Sequence, residues 1–201
     1  MFYRILAAFI AVALIYVTYE VIATQRHYKL LHTPPAPFMA MNYDDGNLPV
    51  IQYIDLRCAE CKKAALLMMD YAEKNPDVLY ILRPIHRGDE TGYHEARTLI
   101  ATGMQERYFE TVNLIAQHEG NPDESFYRDN ASLLDIDIDR LQKDVDSDEM
   151  VEIMERNDRA NAAAAIESTQ SLMVGRQLYY LEAPLTVDVI TSMVEAERQK
   201  R

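Results

Sequence analysis

The chain has 201 residues, 49% of them hydrophobic, and a net charge of -12 from 32 acidic and 20 basic side chains. That is enough apolar material for one domain with a proper core plus a short appendage. The acids dominate after residue 120, which argues against nucleic acid as a partner, because phosphate binding calls for a basic face; they describe a solvated surface that keeps a domain soluble.

Ile5 to Tyr19 is an almost unbroken apolar run behind Arg4; Glu20 interrupts it, and Val21, Ile22 and Ala23 continue it. The run reaches the ~20 residues that span a bilayer as a helix. Two readings fit. A signal peptide would be cut after a small-x-small pattern, for which Val21-Ile22-Ala23 serves. An uncleaved anchor, residues 1–24, would keep 5–23 in the membrane, with Tyr16 and Tyr19 at the far interface where aromatic rings prefer to sit. The length of the segment and its weak leading charge favour the anchor. Either way the rest of the chain is exported. Residues 25–37 follow as a linker, with Pro34, Pro35 and Pro37 stiffening an extended spacer. Phe38 to Met41 suggest a short edge strand, and Asp44-Asp45-Gly46-Asn47 a turn.

Val50 to Leu56 is a β-branched, apolar run that predicts a buried strand. It leads into Cys58-Ala59-Glu60-Cys61, which holds the only two cysteines of the chain, and a helix is expected from Cys58 to about Glu73, apolar nearly all round. The start of a helix favours negative charge and therefore a thiolate. Cys58, at the mouth of the helix, would meet solvent and attack; Cys61, one turn further in, would resolve the mixed disulfide. A zinc site would need four ligands. No second cysteine pair exists, and His27, His32, His86, His94 and His118 show no ligand-like spacing, so no metal and no cofactor is expected. Asp55, three residues before Cys58, is read either as a buried acid shuttling a proton to Cys61 or as a polar strand end capping the helix start. Tyr53, Met173 and Tyr179 read as core.

Asn75-Pro76-Asp77 ends the helix, and Val78 to Leu82 predict a second buried strand, parallel to the first in a βαβ unit. Helical spacing then recurs over Glu95–Thr102, Glu106–Gln117, Ala131–Leu134 and Ile138–Val145, with Gly120-Asn121-Pro122 as a break and Asp137 or Asp139 as a cap. Ser147 caps a helix through Ala165, whose alanine run suits close packing. Ser171 to Val174, Gly175-Arg176 and Gln177 to Leu181 give a hairpin. Thr186 caps a last helix with Val189, Ile190, Met193 and Val194 as its stripe. No internal repeat is visible.

From about Asp44 to Glu197 this order resembles the DsbA-like branch of the thioredoxin superfamily. The resemblance is carried by Pro49 to Cys61 (strand, Asp-aromatic step and active site), Val78 to Pro84 (the next strand), Glu95-Ala96-Arg97 through Tyr108-Phe109, and Leu134 to Ser171. It implies an α/β thioredoxin fold, a central mixed sheet flanked by helices, over residues 38–201, with a helical insertion at about 91–165 and the membrane helix in front. It also implies a redox-active Cys58–Cys61 disulfide and dithiol exchange with cysteine-containing exported proteins. The partners so implied are those substrates and a membrane redox protein, with the domain in the periplasm of a bacterium, tethered to the inner membrane or soluble after cleavage near Ala23.

The chain departs from the family in two places. The loop before the hairpin, where the family has Thr followed by a cis-proline that docks substrate backbone, reads Thr169-Gln170. A cis bond before a non-proline residue costs ~2.5–4 kcal/mol, so this bond is expected to be trans. Between the cysteines, Ala59-Glu60 replaces the Pro-His of the family's namesake. The Glu60 carboxylate should raise the pKa of Cys58, with Arg57, Lys62 and Lys63 pushing the other way, which predicts a weaker oxidant. The competing reading is a non-catalytic binding or assembly module of the cell envelope on the same scaffold. A small-molecule transferase is a third idea, for which no phosphate- or glutathione-binding signature is visible.

Overall fold

A computed structural model describes residues 2–44, 46–86 and 88–200, with side chains from Ile10 onward. The chain divides into two compact units, Met1–Thr33 and Pro34–Arg201.

The first unit is one helix, α1 (Phe2–His32). It continues through residues 25–32, where the sequence suggested a spacer. Nothing there breaks a helix, and the first residue to forbid the α conformation before it is Pro34. Among the described residues no helix is long and apolar enough to cross a membrane. Part of the expected span, residues 5–9, has side chains outside the described set.

The proline segment belongs to the second unit and is not a free spacer. Ala36 joins the core, and the carbonyl of Pro35 accepts a 2.9 Å hydrogen bond from Arg156 Nε. Proline rings are apolar and conformationally fixed, so they pack against a surface as readily as they span solvent. A 3-10 turn (Pro37–Met39) then leads to a two-residue strand, β1 (Ala40–Met41). The turn signal at residues 44–47 includes Asp45, which lies outside the described residues; across it Asp44 accepts from the backbone of Gly46 and Asn47.

β2 (Leu48–Ile54) and β3 (Val78–Pro84) are buried along their whole length. They pair in parallel, Leu48 opposite Val78 and Ile54 opposite Pro84, joined by α2 (Ala59–Lys74). A strand that is buried on both faces reads as a continuous apolar run, and this is how both appear in the sequence. The hairpin β4 (Ser171–Val174) and β5 (Gln177–Tyr180) completes a five-stranded mixed sheet in the order β1-β3-β2-β4-β5. Gly175 turns it at φ 56°, a conformation glycine adopts without steric cost.

Among the described residues between β3 and β4 lie six helices: α3 (Glu90–Met104), α4 (Tyr108–Gln117), α5 (Glu124–Asp129), α6 (Ala131–Leu134), α7 (Ile138–Val145) and α8 (Asp148–Ala163). α9 (Val187–Arg198) closes the chain. Asp137, Ser147 and Thr186 cap α7, α8 and α9 by accepting from the backbone three residues on. α5 is absent from the sequence reading. Gly120-Asn121-Pro122 does end α4, but Asp123 at once starts another helix, its carboxylate accepting from Phe126 N at 2.9 Å. α2 buries Cys61, Ala65, Met68 and Ala72 at helical spacing and packs against the sheet and α4. Its other face is not fully covered: Lys63 and Asp70 are exposed.

Candidate active site

The site is built where β2 ends and α2 begins. After Ile54 the chain turns: Asp55 Oδ1 accepts from Arg57 N at 3.0 Å, and its carbonyl accepts from Cys58 N at 3.0 Å. This tight turn delivers Cys58 as the N-cap of α2, where its Sγ accepts from Cys61 N at 3.2 Å. The two cysteines form a disulfide with a Cα–Cα distance of 5.2 Å. Cys61 is 2% exposed, while Cys58 is partly exposed. One cysteine is thus partly exposed at the positive end of a helix, and its partner is shielded one turn behind.

The second wall comes from far along the chain. Thr169, just before β4, places its carbonyl oxygen 3.2 Å from Cys61 Sγ and its hydroxyl 3.9 Å from Cys58 Sγ. The Thr169–Gln170 bond is trans, as no cis peptide occurs among the described residues. Gln170 N donates to Ser168 Oγ at 3.3 Å, and its carbonyl accepts from Leu181 N at 2.9 Å. Antiparallel pairing of β2 with β4, Tyr53 opposite Ser171, brings this loop to the disulfide.

Under the disulfide sits Gln52, 4% exposed. Its Nε2 donates to the Cys61 carbonyl at 3.1 Å, and its Oε1 accepts from the Tyr80 hydroxyl at 2.7 Å. Sequence reading passed over Gln52, although a lone amide in the run Val50-Ile51-Gln52-Tyr53-Ile54 was a signal: a polar group so buried needs partners. Tyr53 is buried, and burial pushes its hydroxyl up to about 12.

The charges around the pair are committed elsewhere. Arg57 bonds Asp55 at 3.2 Å and Asp89 at 2.7 Å, and approaches Glu95 at 3.6 Å. Lys62, buried, donates to the carbonyls of His118 and Gly120 at 3.3 and 2.9 Å. Lys63 pairs with Glu60 at 2.7 Å. So none of the three cations expected to favour the thiolate is held against Cys58, and the Glu60 charge is offset by its neighbour. Asp55 is bonded to the backbone and side chain of Arg57, which fixes the turn at the end of β2. Ala59 is exposed and leaves the approach to Cys58 open. Hydrogen bonds from Arg57 hold Asp89 below the usual carboxylate range. Burial pushes Glu95 up and Lys62 down, and bonds to Asp89 and Asp55 push Arg57 up.

No protein-family model matches the chain. Over 158 residues, 78% of its length, it is 24% identical to a Na(+)/H(+) antiporter NhaA of Herminiimonas arsenicoxydans; it spans about a quarter of that relative, 25% of its length. Several solved structures are similar to this chain in shape. A thioredoxin-like oxidoreductase from Silicibacter pomeroyi DSS-3 superposes with a TM-score of 0.71 at 20% identity, covering 85% of this chain and 97% of that one. The thiol-disulfide exchange protein alpha-DsbA2 from Wolbachia pipientis gives 0.72 at 16%, covering 86% and 92%. The catalytic domain of Proteus mirabilis ScsC gives 0.70 at 16%, covering 87% and 96%.

These neighbours are DsbA- and ScsC-like thioredoxin-fold proteins. At such identities what they share with this chain is the fold: a thioredoxin-like α/β sheet with a helical insertion, here carrying a Cys58–Cys61 pair at the head of α2.

Proposed function

We propose that the protein is an exported thiol–disulfide oxidoreductase. The observation that carries this reading is the partly exposed Cys58 at a helix start, disulfide-bonded to the shielded Cys61 and with Thr169 against both. In the reduced protein the Cys58 thiolate attacks one sulfur of a partner's disulfide, forming a mixed disulfide and expelling the partner's other thiolate. Cys61, as thiolate, then attacks Cys58 Sγ, regenerating the intramolecular disulfide and releasing the partner reduced. The oxidised form runs the same steps backwards and oxidises a dithiol. Thr169 and Gln170 form the docking loop, while Ala59, Glu60 and Asp55 tune or shape the approach. With Arg57 shared among three carboxylates, the Cys58 thiolate gains little from it, which supports a weakly oxidising or reducing protein rather than a strong oxidant.

The chemistry and the first helix support an exported compartment. A labile disulfide is at home in an oxidising compartment, and one structural neighbour is a periplasmic thioredoxin-like protein from Salmonella enterica serovar Typhimurium. In α1, apolar side chains from Ile10 to Ile22 stand exposed, and an exposed apolar surface of this kind suits a membrane. Residues 5–23 would then tether the domain to the inner membrane, near cysteine-containing exported proteins and a membrane redox partner.

Replacing Cys61 by Ala tests the exchange directly. Trapped mixed disulfides with exported proteins, together with insulin reduction by the unaltered protein, are expected. If neither is seen, the protein is a binding or assembly module, a reading that the missing proline at Gln170 favours.

A further inference from the structure

A second cavity opens in the helical insertion, away from the cysteines. It encloses about 520 Å³ between α3, the start of α5 and α7, within the range that accommodates small molecules. Its floor consists of buried residues: Glu95 and Thr98 from α3, Tyr127 from α5, and Leu141 and Val145 from α7. Its mouth is acidic, with Asp123, Glu124 and Asp146 exposed around it.

Most polar groups of this cavity are already engaged. Asp123 caps α5, Glu124 pairs with Arg128 at 2.7 Å, and Asp146 pairs with Arg97 at 3.3 Å. The Thr98 hydroxyl donates to the His94 carbonyl at 2.9 Å. Two floor groups are left. The Tyr127 hydroxyl, on a residue 2% exposed, has no hydrogen-bond partner among the described residues. The Glu95 carboxylate has Arg57 at 3.6 Å, but that guanidinium is drawn more closely to Asp55 and Asp89. A buried hydroxyl without a partner and a buried, underpaired carboxylate are each costly. The Tyr127 oxygen has no surface open to the cavity, so it is the Glu95 carboxylate that a donor-rich positive group placed there would relieve.

We propose that this cavity binds a small organic cation, an amine or guanidine carried on an apolar body. The cationic head donates to Glu95, and the body lies along Leu141, Val145, Ile138 and Pro122. The acidic mouth draws cations in and turns anions away. A neutral apolar molecule would fill the walls but leave Glu95 as it is. Burial already holds the Glu95 carboxyl above the usual range, the mark of an anion lacking sufficient compensation.

Calorimetric titration of the full chain with n-hexylammonium chloride tests this, with 1-hexanol and sodium hexanoate as matched probes. The expected result is saturable one-to-one binding of n-hexylammonium, with the other two weaker by roughly tenfold or more, the worth of one charge-assisted hydrogen bond. Glu95→Gln, which keeps the side-chain shape, should weaken n-hexylammonium by a similar factor. Tyr127→Phe, which removes an oxygen with no surface open to the cavity and should fold at least as well, should leave the affinity unchanged. Absence of saturable binding by n-hexylammonium overturns the proposal. So does equal affinity for 1-hexanol, which would mark an apolar hole only, or unchanged affinity in folded Glu95→Gln protein.

Discussion

The carbonyl oxygen of Thr169 lies 3.2 Å from the Sγ of Cys61, although 108 residues separate them in sequence. The hydroxyl of the same threonine reaches toward Cys58 Sγ at 3.9 Å. In the reduced protein that hydroxyl can donate to the Cys58 thiolate and favour it. Thr169→Val keeps the shape and removes the donor. The Cys58 pKa should rise by about half a unit, equivalent to ~0.7 kcal/mol for one long hydrogen bond to a charged sulfur. The ultraviolet absorbance of the thiolate, followed against pH, measures it; an unchanged value would show that the contact is packing alone.

Gln52 should matter to stability first. Gln52→Leu leaves the buried Tyr80 hydroxyl without its acceptor, at a cost of about 1–3 kcal/mol. Adding Tyr80→Phe removes the stranded hydroxyl, so the double variant should be more stable than Gln52→Leu alone. Urea denaturation of the wild type, Gln52→Leu, Tyr80→Phe and the double variant reads the coupling directly.

Asp89 and Glu95 should respond to pH in opposite directions. Asp89 is held low by Arg57, so its contribution is present above the unfolded carboxylate value and is lost as pH falls through the folded one. Glu95 is pushed up by burial, so the fold retains its proton more tightly than the unfolded chain does. Stability on its account is greatest below the unfolded value and declines as pH rises through the folded one. Asp89→Asn should therefore lower Tm at neutral pH and matter less toward about pH 3, whereas Glu95→Gln should gain on the wild type as pH rises from about 4. Thermal melts across that range decide both.

Gln170 donates one long hydrogen bond, to Ser168 Oγ at 3.3 Å. Gln170→Pro removes it, at a cost of about 1 kcal/mol or less, and restores the residue that DsbA-like chains carry beside their docking backbone. Insulin reduction should become faster while Tm changes little. An unchanged rate in folded protein would show that docking is not the slow step.

Much of this molecule is local and can be read along the chain. Cys58 heads a helix because an extended residue with a side-chain acceptor precedes a run of helix formers, and Asp137, Ser147 and Thr186 announce α7, α8 and α9 in the same way. β2 and β3 declare themselves as unbroken apolar runs because both of their faces are covered. Even the misreadings there have local causes: Gly120-Asn121-Pro122 signalled a stop, and the new start at Asp123 was overlooked. What the sequence could not supply are pairings between distant residues. Thr169 meets the two sulfurs only because β4 pairs beside β2. Arg57 is drawn from Cys58 to Asp89 and Glu95 only because α3 packs there. A side chain's charge is fixed by its identity, but the partner it serves is chosen by burial and by the return of the chain, and only the folded arrangement sets those.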